Sequence, residues 1–221
     1  MNLTYIYIAM LLDLHTHRPP SQPGRALVCN DPLSFVPQPG GCYSVGIHPW
    51  HVAEATEATW QALEEAASRP CVWAIGEAGL DKCTDAPLEH QLLAFRRQAL
   101  LAESCRKPLI LHVVKAVAEL LQLKRQIRPA VPWIIHGFRG KAALAEQLLR
   151  HGFSLSFGEH YHEEALRCTP LHRLFLETDE SLVPIEELYR RAASVRGMEA
   201  DQLMAAIQDN LRTLFPHALS D

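Results

Sequence analysis

Val72-Trp73-Ala74-Ile75-Gly76-Glu77 is a continuous apolar run closed by a carboxylate, and residues 88–105 after it carry apolar side chains at three- and four-residue spacing. A run without polar alternation is what a strand needs when a parallel sheet is covered on both faces. The spacing that follows predicts a helix. Working outward, the same unit recurs. Strands are expected at residues 10–15, 26–29, 43–47, 72–76, 109–112, 133–136, 153–157 and 174–177, and helices at 55–67, 88–105, 116–127, 142–150, 182–195 and 201–215. Pro108 and Gly152 stop two of these helices. Such alternation points to parallel βα units with right-handed crossovers, and eight of them to an α/β fold of the TIM (β/α)8 type.

The early part departs from the ideal. Arg18-Pro19-Pro20-Ser21-Gln22-Pro23-Gly24 and Pro37-Gln38-Pro39-Gly40-Gly41 separate the first three strands, and neither has the dozen or more residues of a helical crossover. The expectation is a trimmed barrel with the first one or two covering helices missing. No linker or low-complexity segment interrupts the chain, so residues 1–221 are read as a single domain.

Composition narrows the function. With 21 Lys+Arg against 25 Asp+Glu the net charge is -4, which argues against a basic wrap around nucleic acid. A nucleic-acid enzyme stays open, because a bound divalent ion can supply positive charge where a phosphate sits. Any nuclease activity should then act on ends or short strands, with weak non-specific duplex binding. Cys29, Cys42, Cys71, Cys83, Cys105 and Cys168 are scattered with no CxxC pair, as in a reducing cytosol, so a cytoplasmic protein is expected. The apolar residues 3–12 lack a basic residue before them and a small-residue cleavage site after them. No other stretch reaches the about 18–20 apolar residues of a membrane span. No membrane and no obligate protein partner are expected. The 12 histidines are in excess for the length and hint at metal chemistry.

Where those histidines fall decides the chemistry. Asp13-Leu14-His15-Thr16-His17 ends the first strand, and strand alternation puts Asp13, His15 and His17 on one face. Glu77, His112, His136 and Glu177-Thr178-Asp179 close later strands. In a barrel these ends converge on one mouth, where active sites of this architecture lie. His15, His17, Glu77, His112, His136 and Asp179 together suit one or two divalent ions: zinc, manganese or nickel, with magnesium less natural for so much nitrogen. Glu77 is the candidate bridge between two ions, with His15, His17 and Asp179 on one and His112 and His136 on the other. Water so activated becomes the nucleophile for a phosphoester or an amide, and Asp179 the base that takes its proton to the leaving group. Asp13 is expected to orient a ligand. His48 should contact substrate or support a ligand. Lys82, Lys115, Arg139 and Lys141 could rim the mouth for an anion. Trp50 and His51 could stack a base, or Trp50 could pack its loop.

These residues also form ordered motifs. Asp13-Leu14-His15-Thr16-His17, Gly46-Ile47-His48-Pro49, Ile75-Gly76-Glu77-Ala78-Gly79-Leu80-Asp81, His136-Gly137-Phe138-Arg139-Gly140 and Glu177-Thr178-Asp179 resemble, in order, those of the TatD-like metal-dependent hydrolases. Asn210 with Leu214-Phe215 is similar to the family's C-terminal signature. The resemblance spans residues 10–216. It implies a TIM barrel of the metallo-dependent hydrolase superfamily, a divalent-metal site built from the same six ligands, and DNase activity, often as a 3′→5′ exonuclease. DNA ends, single-stranded DNA or a small phosphoester would be the substrate. Val114 with Lys115 stands where family members often carry Arg, Glu180-Ser181 follows Asp179, and Lys82-Cys83 replaces an aromatic pair. These changes, with the missing helices, resemble a short, compact branch. The rival within enzymes is an amidase or lactonase of the amidohydrolase superfamily, which should tolerate loss of Lys115 or Arg139. The rival outside enzymes is a metal-bound scaffold.

Overall fold

A computed structural model describes residues 12–216 of the 221. Its eight strands run in one sheet in chain order: β1 (Asp13–Thr16), β2 (Ala26–Asn30), β3 (Cys42–Val45), β4 (Val72–Asp81), β5 (Leu109–Val114), β6 (Trp133–Ile135), β7 (Ser154–Phe157) and β8 (Leu174–Leu176). A parallel bridge from Thr16 to Asp179 joins the first strand to the residues just past the last. The strands therefore form a nearly closed barrel of the TIM type. The helices are α1 (Glu57–Ala67), α2 (Leu88–Cys105), α3 (Val117–Ile127), α4 (Ala142–Arg150), α5 (Glu163–Cys168), α6 (Ile185–Arg196) and α7 (Ala200–Leu214). No helix lies between β1 and β2 or between β2 and β3, the trimming expected from the short proline-rich segments. None of the described helices is long and apolar enough to cross a membrane.

Local chemistry sets the boundaries. Extended Thr56, at φ -96°, accepts the Thr59 backbone N–H on its hydroxyl while Thr59 caps back, so α1 starts at Glu57 rather than at residue 55. Arg106 takes a left-handed conformation at φ 53° and ends α2 two residues before Pro108. The largest departure is β4, which runs ten residues through Asp81 instead of stopping at Gly76. Glu77 thus lies within a strand rather than after one. Gly79 makes this possible: it pairs with His112, and a Cβ there would lie 1.8 Å from the His112 carbonyl oxygen. β1 is described from Asp13; Met10, the first nine residues and His217 lie outside the described residues.

By compactness the chain divides into two units, Met1–Val28, Pro39–Cys42 and Ile135–Asp221 forming one and Cys29–Gln38 and Tyr43–Ile134 the other. In the first, Phe138 and Phe157 meet edge to face at 5.6 Å, and buried Tyr189 of α6 donates its hydroxyl to the Leu12 carbonyl at 2.9 Å. In the second, fully buried Phe95 of α2 packs edge to face on Trp133 at 5.2 Å. The α2 face that buries Phe95 also carries two buried amides, Gln91 and Gln98. Gln98 brackets Ile47, accepting its N–H at 2.8 Å and donating to its carbonyl at 3.0 Å. Gln91 does the same at Asp81, at 2.7 and 2.9 Å. One helix thereby fixes the backbone next to His48 and the end of the strand that carries Glu77.

Candidate metal centre

In the first unit the site grows from the end of β1. His15 is fully buried, and its ring lies 5.0 Å from that of His17 and 4.2 Å from that of His136. Asp179 arrives from beyond β8 in a left-handed conformation, φ 55°, with its N–H donated to the His15 carbonyl at 2.9 Å. That turn aims its carboxylate at both histidines: Oδ1 stands 3.8 Å from His15 Nε2 and 3.6 Å from His17 Nε2. His15, His136 and Asp179 each offer a ligand atom, all within 4.8 Å of one another. Glu177, buried beneath, accepts the Gly137 N–H at 2.5 Å and lies 3.5 Å from His136 Nδ1. Burial pushes the Glu177 carboxyl up, but His136 and His15 outweigh it and hold the group below the usual carboxylate range.

Asp13 occupies the root of this cluster. Its Oδ2 accepts the Thr178 hydroxyl at 2.6 Å, and its Oδ1 accepts the backbone N–H groups of Thr178 at 3.0 Å and His15 at 3.3 Å. Burial pushes Asp13 up to about 7, against the Thr178 bonds that lower it. Asp13 therefore holds the backbone on both sides of the ligands, β1 and the turn before Asp179.

The second unit carries a cluster of its own residues. Glu77 Oε1 stands 2.8 Å from His112 Nδ1 and 3.3 Å from His48 Nε2. Ligand atoms of His48, Glu77 and His112 lie within 4.8 Å of one another. The other ring nitrogen of His112 is 3.1 Å from Asp81 Oδ2, which also accepts the Trp50 indole N–H at 2.7 Å. Burial raises Asp81, but Trp50, the Cys83 N–H and His112 together leave its carboxyl below the usual range. As a carboxylate, Asp81 can accept the Nε2 N–H of His112, the tautomer that leaves Nδ1 as the ligand atom.

Of the residues singled out from sequence, His15, His17, His136 and Asp179 come together in one unit, and Glu77 and His112 in the other. His136 stands with His15 and Asp179. His48 is within ligand distance of Glu77. Arg139 is exposed and lines a cavity of about 250 Å³ that also touches Glu177, Asp179 and His160. Lys115 is exposed at φ 53°, just past β5, whereas Lys82 is taken up by Glu119 at 2.6 Å. His51 lies 3.9 Å from Glu54. Three residues had no role assigned from sequence: Asp81, Glu177 and Thr178. Asp81 follows Glu77 by four strand positions and Glu177 precedes Asp179 by two, so period-two alternation was the available signal.

Each cluster pairs two imidazoles with a carboxylate, a donor set that fits a borderline divalent ion. Comparisons agree with that chemistry. A 3'-5' ssDNA/RNA exonuclease TatD of Pantoea vagans is 31% identical over 206 residues, covering 80% of this chain and 79% of that protein. An uncharacterized metal-dependent hydrolase of Bacillus subtilis, YabD, is 28% identical over 194 residues, 78% of this chain and 76% of the relative. The crystal structure of YjjV, a TatD homologue from Escherichia coli, superposes with a TM-score of 0.80 at 21% identity, covering 95% of this chain and 99% of that one. The model of the TatD related DNase family matches residues 37–216, from the segment before β3 to the end of the described chain, and the chain belongs to that family.

Proposed function

We propose that this TatD-type metal-dependent hydrolase cleaves phosphodiester bonds at the ends of single-stranded nucleic acid, as a 3′→5′ exonuclease. Relatives named as exonucleases support the reaction, and the two ligand clusters supply its residues. The observation that carries it is the convergence of His15, His136 and Asp179 to within 4.8 Å, matched by His48, Glu77 and His112 at the same spacing. His15, His17, Glu77, His112, His136 and Asp179 would hold one or two ions of zinc, manganese, nickel or magnesium. When bound, such an ion supplies Lewis-acid polarisation and makes water ionisable near neutral pH.

The chain's own residues do the rest. Asp179, partly exposed and 3.6 Å from His17, accepts the proton of the attacking water and returns it to the leaving oxygen. His15 and Asp13 hold its turn in place through the hydrogen bonds to its N–H and to Thr178. Asp81 orients His112, and Glu77 stands at its other ring nitrogen. Arg139, with the adjoining cavity, is the candidate phosphate contact of the first unit, and Lys115 and His48 are the candidate substrate contacts of the second. The test is release of mononucleotides from end-labelled single-stranded DNA by metal-stripped protein resupplied with magnesium, manganese or zinc. Release should require metal and vanish in Asp179→Asn. No release with any metal would move the substrate to a small phosphoester or an amide.

A further inference from the structure

Trp50 is a large aromatic residue left 55% exposed, directly beside the Glu77 cluster. Its ring is not loose. The indole N–H is donated to Asp81 Oδ2 at 2.7 Å, and its backbone N–H to His48 Nδ1 at 3.2 Å. The ring centroid lies 4.8 Å from that of His48 and 6.1 Å from that of His112, at interplanar angles of 84° and 76°. Packing is a poor account of this placement, because a ring that served only the core would be covered. The polar edge is pinned inward while a large part of the apolar surface faces solvent, which is the arrangement of a stacking platform.

We propose that Trp50 is the nucleobase subsite of this enzyme, stacking a base of the single-stranded substrate while the phosphate next to that base reaches the Glu77 cluster. This rests on the nuclease reading above. Stacking is indifferent to base identity, since every base presents a π-face, so the subsite selects for a base over a bare sugar–phosphate without reading sequence. It also separates nucleic-acid ends from small phosphoesters, which have nothing to stack. Asp81 is a positioning residue for both halves: the same Oδ2 that fixes the Trp50 ring faces His112.

The experiment measures affinity, not turnover. Manganese-loaded protein is titrated into a short, labelled, phosphorothioate-linked oligothymidylate, and into the same strand with abasic units in place of the bases, with anisotropy as the readout. Wild type should bind the intact strand roughly 5- to 150-fold more tightly than the abasic one. Trp50→Ala should lose that preference, binding both strands like the abasic strand on wild type. Trp50→Phe, which keeps a ring but not the N–H, should retain most of it. Equal preference in wild type and Trp50→Ala would overturn the subsite while leaving the nuclease reading intact. Loss in Trp50→Phe as complete as in Trp50→Ala would assign Trp50 to the Asp81 tie instead, and also overturn it. Wild type that neither binds nor degrades the intact strand would overturn both.

Discussion

Asp81 Oδ2 lies 2.7 Å from the Trp50 indole nitrogen and 3.1 Å from His112 Nε2, so one oxygen sets both the ring at the surface and the imidazole behind it. An amide at this position keeps the shape but can turn an N–H toward His112, removing the acceptor that fixes its tautomer. Asp81→Asn is therefore expected to weaken metal binding about 10- to 100-fold, the usual cost of losing such a partner. Titration calorimetry of metal-stripped protein with manganese reads this directly, and unchanged affinity would sink the role. Asp81 was legible in the sequence only as part of a motif. Nothing in one dimension says which of several strand-end carboxylates will face the metal and which will face the back of a histidine.

Elements place these residues more than any single side chain does. The two buried glutamines of α2 sit seven residues apart on one face, a spacing that returns to the same side of a helix after two turns. Gln98→Leu would strip both partners from Ile47 and release the backbone next to His48. Unfolding in urea should show a loss of roughly 1–3 kcal/mol for each orphaned group, accompanied by weaker hydrolysis; a change within about 0.5 kcal/mol would mean the clamp carries no weight. At this scale the sequence was most readable where helices are long and capped by local chemistry. α2 and α4 have the expected ends, and α1 starts two residues late because Thr56 caps it. The six-residue α5 is too short to show a helical period and was not foreseen. The length of β4 was hidden for a different reason: Gly76 and Gly79 look like punctuation in sequence, yet in the sheet they permit close backbone approach to Ile110 and His112.

For the whole molecule, the barrel and its trimmed start followed from strand count and loop length. Within one unit His136 lies with His15 and Asp179, and within the other His112 lies with Glu77 and His48. Charge acts at the same scale. The net charge is -4; of the rim cations named from sequence, Lys115, Arg139 and Lys141 are exposed while Lys82 is paired with Glu119, and each phosphate contact on a single strand contributes a salt slope of about -0.7. The logarithm of single-strand affinity should fall with the logarithm of salt at a slope no steeper than about -2, measured by anisotropy; a much steeper slope would demand a basic surface not accounted for here. The proposed hydrolysis depends on the cluster of each unit. The most direct measurement is the rate of mononucleotide release from one single-stranded substrate by Glu77→Gln and by Asp179→Asn at saturating manganese. Each substitution alone should lower the rate at least about 100-fold. Near wild-type release by either variant would contradict it.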